Sequence, residues 1–141
     1  MQTIFEDINT DIPLHQLAVD CQFRIFSLEK YSANKFAHRH DFYEILWIQQ
    51  GEGNHLVDFS KYSLESNHIF FLKPGQINKF TSREMKGHVI DFNEAFFYQE
   101  SQDKHILAKL HQTPHIKLVP ENEAAISSLI ELIYNEHTSK Y

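Results

Sequence analysis

The sequence predicts a mainly β domain, a sandwich or barrel of short strands, followed by C-terminal α-helices. Three observations carry this. Short runs rich in Phe, Tyr, Ile, Leu and Val recur at close intervals between residues 23 and 92, with turn residues between them. The longest of them, residues 42–50, is apolar on both alternating faces, which fits a curved sheet covered on two sides. After Phe92 the apolar period changes from that of a strand to that of a helix.

Residues 1–20 are mixed in character, and Pro13 interrupts any regular element there, so they read as an N-terminal arm whose ordinary state is a packed or frayed terminus. In FRIFSL, residues 23–28, Phe23, Ile25 and Ser27 alternate with Arg24, Phe26 and Leu28, a strand with both faces partly covered. The polar break YSANKFAHRH precedes the strand at 42–50, which carries Glu44, Leu46 and Ile48 on one face and Tyr43, Ile45 and Trp47 on the other. Gly51 closes it, where a turn of positive φ favours glycine. GEG at 51–53 turns into NHLVDF, and KYSLESN reads as a connection into HIFFL. Asn67 in that connection tolerates a left-handed backbone. Pro74 and Gly75 mark a further turn, and GHVIDF, residues 87–92, reads as the closing strand. The β unit is thus expected over residues 21–92.

A helical segment is expected over 93–141. Asn93 is a candidate N-cap before EAFFYQE and Asp103 a second before DKHILAKLH, which predicts two short helices ending before Pro114. HIKLV, residues 115–119, reads as a late strand or an extended linker. From Glu121 onward Ile126, Leu129, Ile130 and Ile133 recur on one face of a helix, with Leu132 and Tyr134 widening the stripe. Acidic residues near its start suit the helix dipole. Such a stripe ordinarily packs on the neighbouring sheet.

Length and charge narrow the function classes. A chain of 141 residues fits one domain and one compact core. Thirteen Lys and Arg against 19 Asp and Glu give a net charge of -6, and no basic cluster stands out, so this chain by itself is not expected to grip DNA. One cysteine, Cys21, excludes an intrachain disulfide. The start MQTIFEDINTD lacks a basic and apolar leader, and no run approaches the roughly 20 apolar residues of a membrane span. A soluble cytoplasmic protein without membrane partners is expected.

The stretch HRHDFYEILWIQQG, residues 38–51, concentrates the chemistry. His38, His40 and Glu44 occupy even positions, which share a face if the stretch is one strand. Two imidazoles and a carboxylate can hold a divalent metal such as zinc, iron or manganese, or hydrogen-bond a small polar ligand. A lone histidine is ordinarily solvated or bonded to a neighbour. Three groups at this spacing favour a pocket, whereas His55, His68, His88, His105, His111, His115 and His137 show no comparable spacing and read as surface or packing residues.

His38, His40, Glu44 and Gly51 resemble the first cupin motif, HxHxxxE, six residues, glycine, with Ser32 in place of its opening glycine. The second motif is degenerate: Asn67, Lys73, Gly75, Asn78 and Ser82 fill its places, and Asn78 stands where a metal-binding histidine belongs. The runs IFFLKPGQINKF and KGHVIDFNEAFF resemble the amino-terminal sensor domain of AraC-family transcriptional regulators, a likeness covering roughly residues 20 to 135.

That resemblance selects the cupin double-stranded β-helix, a jelly-roll barrel, among the β architectures. It implies a non-catalytic domain that senses a small-molecule effector, with His38, His40, Glu44, Asn78 and Phe80 as ligand-binding candidates. Phe80 could stack on a sugar or planar ring. It implies a homodimer through the last helix, with Ile126, Leu129, Ile130 and Ile133 as the contacts, and an arm that can fold over the ligand. DNA would be met only through a C-terminal domain with two helix-turn-helix units, for which this chain has no room. The chain is accordingly expected to be an isolated sensor domain, cut from a longer regulator or standing alone in nature. No cofactor is expected, since an amide oxygen is a poor ligand for zinc or iron, and a divalent metal is the disfavoured alternative, with His38, His40 and Glu44 as its ligands. The competing reading is a small metal-dependent cupin enzyme, a dioxygenase or isomerase, using His38, His40 and Glu44. A third is a stand-alone metabolite-binding cupin.

Overall fold

The computed structural model of the chain describes residues 14–17, 21–31, 37–81, 84–96 and 114–140, with Lys109 and Gln112 besides. Among the described residues ten strands form two five-stranded sheets. The first runs in the order β1 (Leu14–His15), β3 (His38–His40), β8 (Ile77–Phe80), β5 (Asn54–Val57), β6 (Ser60–Ser63). The second runs β10 (His115–Lys117), β7 (His68–Leu72), β4 (Tyr43–Gly51), β9 (Met85–Phe92), β2 (Phe23–Ser27). Two helices complete the described elements, α1 (Leu28–Tyr31) and α2 (Pro120–Lys140). This is the mainly β, cupin-like fold that the sequence predicts.

Strand alternation sorts the side chains. Leu46 and Ile48 of β4 meet Phe70, Leu72 and Val89 of their own sheet and Val57 and Phe80 of the other, a core closed between the sheets. The opposite face of β4 is covered too. Trp47 lies with Ile25, Leu118 and Ile130 under α2, and Tyr43 stacks on Phe71 and Phe92 with ring centroids 5.7 and 5.3 Å apart. Two covered faces explain why β4 lacks a polar side.

Several expectations change. His38, His40 and Glu44 do not share a strand: the chain crosses from β3 in one sheet to β4 in the other at Asp41 and Phe42. KYSLESN is no mere connection, because Ser60–Ser63 pairs with Asn54–Val57 as a hairpin. Its side chains are mostly exposed, so this edge strand lacks the apolar alternation that marks the others. Leu28 belongs to α1 rather than to β2, and the closing strand begins at Met85. Gly51 is not the positive-φ residue of its turn; Gly53 is, at 117°. Gly51 pairs within the sheet and packs where an added Cβ would stand 3.2 Å from the Ile48 side chain. Asn67 does take the left-handed conformation, at φ 61°. HIK of the late segment is a strand, β10.

At the N-terminal side only 14–17 of the arm are described, and Leu14 and His15 pair in parallel with β3. Asn93 caps a helical start, its Oδ1 accepting from Phe96 N at 2.8 Å. The rest of that helix, and the helix expected from Asp103 apart from Lys109 and Gln112, lie outside the described residues.

The longest strand pair carries a bulge between Ile48 and Gln50 of β4, opposite Gly87 of β9. Gly87 has φ 152°, and a Cβ there would lie 1.8 Å from the Trp47 carbonyl oxygen. Gly75, at φ 89°, has open space around that position. Gly87→Ala should therefore cost about 3 kcal/mol or more in urea denaturation, because backbone must move. Gly75→Ala should cost only about 1–2 kcal/mol for its left-handed backbone. Equal losses would contradict the close approach at Gly87.

Candidate functional site

Burying polar side chains in an apolar barrel is costly unless they meet one another. His38, His40, Glu44, His55, Asn78 and Asp91 are all at most 3% exposed, and a chain of contacts runs from His55 through Asn78 and His38 to His40, Glu44 and Asp91. Register brings them together. Asn78 of β8 lies opposite His38 of β3 and Val57 of β5, and Asp91 of β9 lies between Glu44 of β4 and Arg24 of β2.

Asn78 donates from Nδ2 to the His38 carbonyl at 3.4 Å, which turns its Oδ1 toward His55 Nε2, also at 3.4 Å. His55 then stacks on Phe80, centroids 4.1 Å apart and nearly parallel, and meets Phe70 edge-on at 4.8 Å. His38, His40 and His15 form a triangle of rings, with centroids 4.9, 5.0 and 5.8 Å apart, and His40 stacks on Phe42 at 4.7 Å. Glu44 Oε2 lies 3.8 Å from His40 Nε2.

The carboxyl row continues outward. Arg24 Nε donates to Asp91 Oδ2 at 2.7 Å, and its guanidinium lies over Phe26 and Phe42. Burial raises the Asp91 pKa, opposed by its side-chain contacts with Glu44 and Arg24. Burial lowers His40 to about 3, helped by His38 and His15, and lowers His55 to about 3 against the pull of Asn78. The interior therefore presents neutral imidazoles, one amide and a pair of adjacent carboxyls held by one guanidinium.

The structure brings all five ligand candidates, His38, His40, Glu44, Asn78 and Phe80, into this interior. The near face of Phe80 is taken by His55, so it is not free for a sugar or planar ring on that side. Four neighbours of these candidates escaped the sequence reading: the exposed His15, the partly exposed Arg24, and the buried His55 and Asp91. Asp91 had a signal, since it continues the inward face of Val89 and puts a carboxyl into an apolar alternation. His55 had none, because a single imidazole in NHLVDF looks the same on either face. It is not a surface residue, nor is His68, which is 4% exposed. His68 meets His115 across β7 and β10, at an edge away from this cluster.

Among the described residues no group of three or more His, Cys, Asp or Glu could hold a metal ion. Asn78, in the third histidine's place, is engaged by His38 and His55. An open cavity of about 700 Å³ is lined by Gln50, Glu52, Thr81, Glu84 and Lys86 among others, and none of the six buried polar residues lines it.

Of the four residues expected at a dimer seam, Ile130 is buried, and Ile126 and Ile133 pack beside it on the second sheet. Leu129 points away and is 56% exposed, with Leu132 at 64%. The stripe is wide enough to serve the barrel with one edge and leave the other open. No described helix is long and apolar enough to cross a membrane.

Comparison with known proteins returns one family. The model of the AraC-like ligand binding domain matches residues 24–140. No curated protein matches the chain.

The two depressed histidines set an acid sensitivity. An unfolded chain takes up protons near pH 6.5 that folded His40 and His55 refuse until about pH 3, so stability is full above 6.5 and falls as pH drops below it. Asp91, raised by burial, acts the other way, since the folded state binds its proton first. Urea denaturation should show a net loss of about 2 kcal/mol between about pH 7.5 and about pH 5.5. His55→Phe should remove roughly half of that loss, and an unchanged slope in the variant would contradict the assignment.

Proposed function

We propose that this chain, which belongs to the family of AraC-like ligand binding domains, is the effector-sensing and dimerisation domain of an AraC-type transcription regulator acting in the cytoplasm. It binds a small molecule among His38, His40, Glu44, Asn78 and their neighbours, and it does so without catalysis and without a resident metal or other cofactor. The observation that carries this is the gathering of six buried polar side chains inside an otherwise apolar barrel. A structural core gains nothing from such a cluster, because apolar residues of the same volume pack as well without the desolvation cost. A recognition site needs it, since a few placed polar groups in an apolar surround are what orient a small ligand.

The signal leaves through α2. Its inner edge reads the second sheet through Ile126, Ile130 and Ile133, and its outer edge carries Leu129 and Leu132. Those two leucines form the seam with a second copy. An effector with different affinity for two placements of α2 would shift their balance, and with it the DNA-binding part of the regulator.

In sedimentation at micromolar concentration the chain should run as a dimer. The double variant Leu129→Glu, Leu132→Glu should run as a monomer with its melting temperature nearly kept. Ile130→Glu should instead unfold the domain, because it buries a charge against Trp47. A monomeric wild type would remove the dimer from the account. For sensing, an effector that stabilises the domain should change operator affinity of the full regulator at least about fivefold. Equal operator binding with and without that effector would contradict the sensor reading.

A further inference from the structure

Three features of the interior bear on what kind of molecule it admits. The first is tautomeric. The His38 carbonyl takes the Asn78 amide N–H, so Asn78 offers oxygen to His55, and His55 must donate from Nε2. Its other nitrogen, Nδ1, is then a bare lone pair. It is fully buried and has no hydrogen-bond partner among the described residues. The second is the carboxyl row. Asp91 receives Arg24 on Oδ2, while no N–H reaches Oδ1 among the described residues. Its contact with the Glu44 carboxyl becomes a hydrogen bond only when one of the two carries a proton. The third is charge. Two carboxyls with no exposure are faced by one guanidinium that is itself 40% exposed, and His40 and His55 stay neutral at physiological pH.

We propose that the barrel interior selects an effector through hydrogen-bond donors, hydroxyl or ammonium groups delivered to His55 Nδ1 and to the Asp91 carboxyl, and rejects carboxylates and phosphates. This rests on the reading of the interior as the effector site. A buried acceptor without a donor costs about 1–3 kcal/mol, which a ligand hydroxyl or ammonium recovers and an anion cannot. An anion would also enter beside two carboxyls whose only described guanidinium is already engaged. His55 is thereby a specificity-determining residue, one that no motif in the sequence marks.

The test uses matched triplets sharing a carbon skeleton, an alcohol, its amine and its carboxylate. For a benzyl skeleton these are benzyl alcohol, benzylamine and benzoate. Each is added at millimolar concentration to the untagged chain, and thermal shift is followed by calorimetry. Stabilisation should be confined to alcohols and amines, and which of the two binds distinguishes hydroxyl from ammonium recognition. His55→Phe should weaken a binding member at least about tenfold. His55→Gln, which keeps an acceptor, should retain most of the affinity, whereas a merely structural role for the ring would make the two variants alike. Carboxylates that bind, with binding lost in Asn78→Leu, would overturn the donor rule and leave the sensor reading standing. An alcohol or amine bound equally by wild type and His55→Phe would overturn it too. No stabilisation by any member would remove both readings.

Discussion

The register that sets Asn78 opposite His38 across the β3–β8 pair is the constraint on which the interior depends. It brings the Asn78 amide within reach of the His38 carbonyl, and that single donation fixes which end of the amide faces His55. The tautomer of His55 follows from there, while burial keeps the ring neutral against the pull of Asn78 and Phe80 stacks on its face. A slip of one residue along β8 would turn Asn78 outward and bring Ile77 or Lys79 in. The polar cluster would then lose its central member, and His55 would be buried with neither nitrogen paired.

A second register does the same for charge. Arg24, Asp91 and Glu44 are neighbours across three adjacent strands, β2, β9 and β4, so the edge strand supplies the cation that two buried carboxyls need. The two sheets thus bring complementary halves, amide and imidazoles from one and carboxyls from the other. The crossing at Asp41 and Phe42 joins them, which is why a motif continuous in sequence, His38 to Glu44, spans both walls of the barrel. Outside that barrel the same strands carry Trp47, Ile25 and Ile90, on which α2 lies. The inner and outer faces of β4 differ by one residue step, so movement at Glu44 is mechanically close to movement under α2.

Much of the fold was legible because its strands obey period two and its turns carry Gly, Asn or Pro. The strand around Leu46, the left-handed Asn67, the turn at Gly75 and the cap at Asn93 follow from local chemistry alone. Strand β6 was not legible, since an exposed edge strand has no buried face to create alternation. At the site, His38, His40, Glu44 and Asn78 were found through spacing and resemblance. His55, Asp91 and Arg24 were not, because their meeting is made by cross-strand register, a property that no local window contains. The stripe on α2 was read correctly as apolar. How it divides between the barrel and the outside depends on the helix's rotation against the second sheet, which packing decides.

The central claim is that the buried polar cluster is where a ligand sits. The most direct measurement is an NMR chemical-shift map of the ¹⁵N-labelled domain with its strongest small-molecule binder, including the histidine ring nitrogens. The account predicts the largest changes at Asn78, Asp91 and the His55 ring, with Nδ1 of His55 moving as it gains a hydrogen bond. Changes concentrated instead at Gln50, Thr81 and Lys86, around the open cavity, would contradict it.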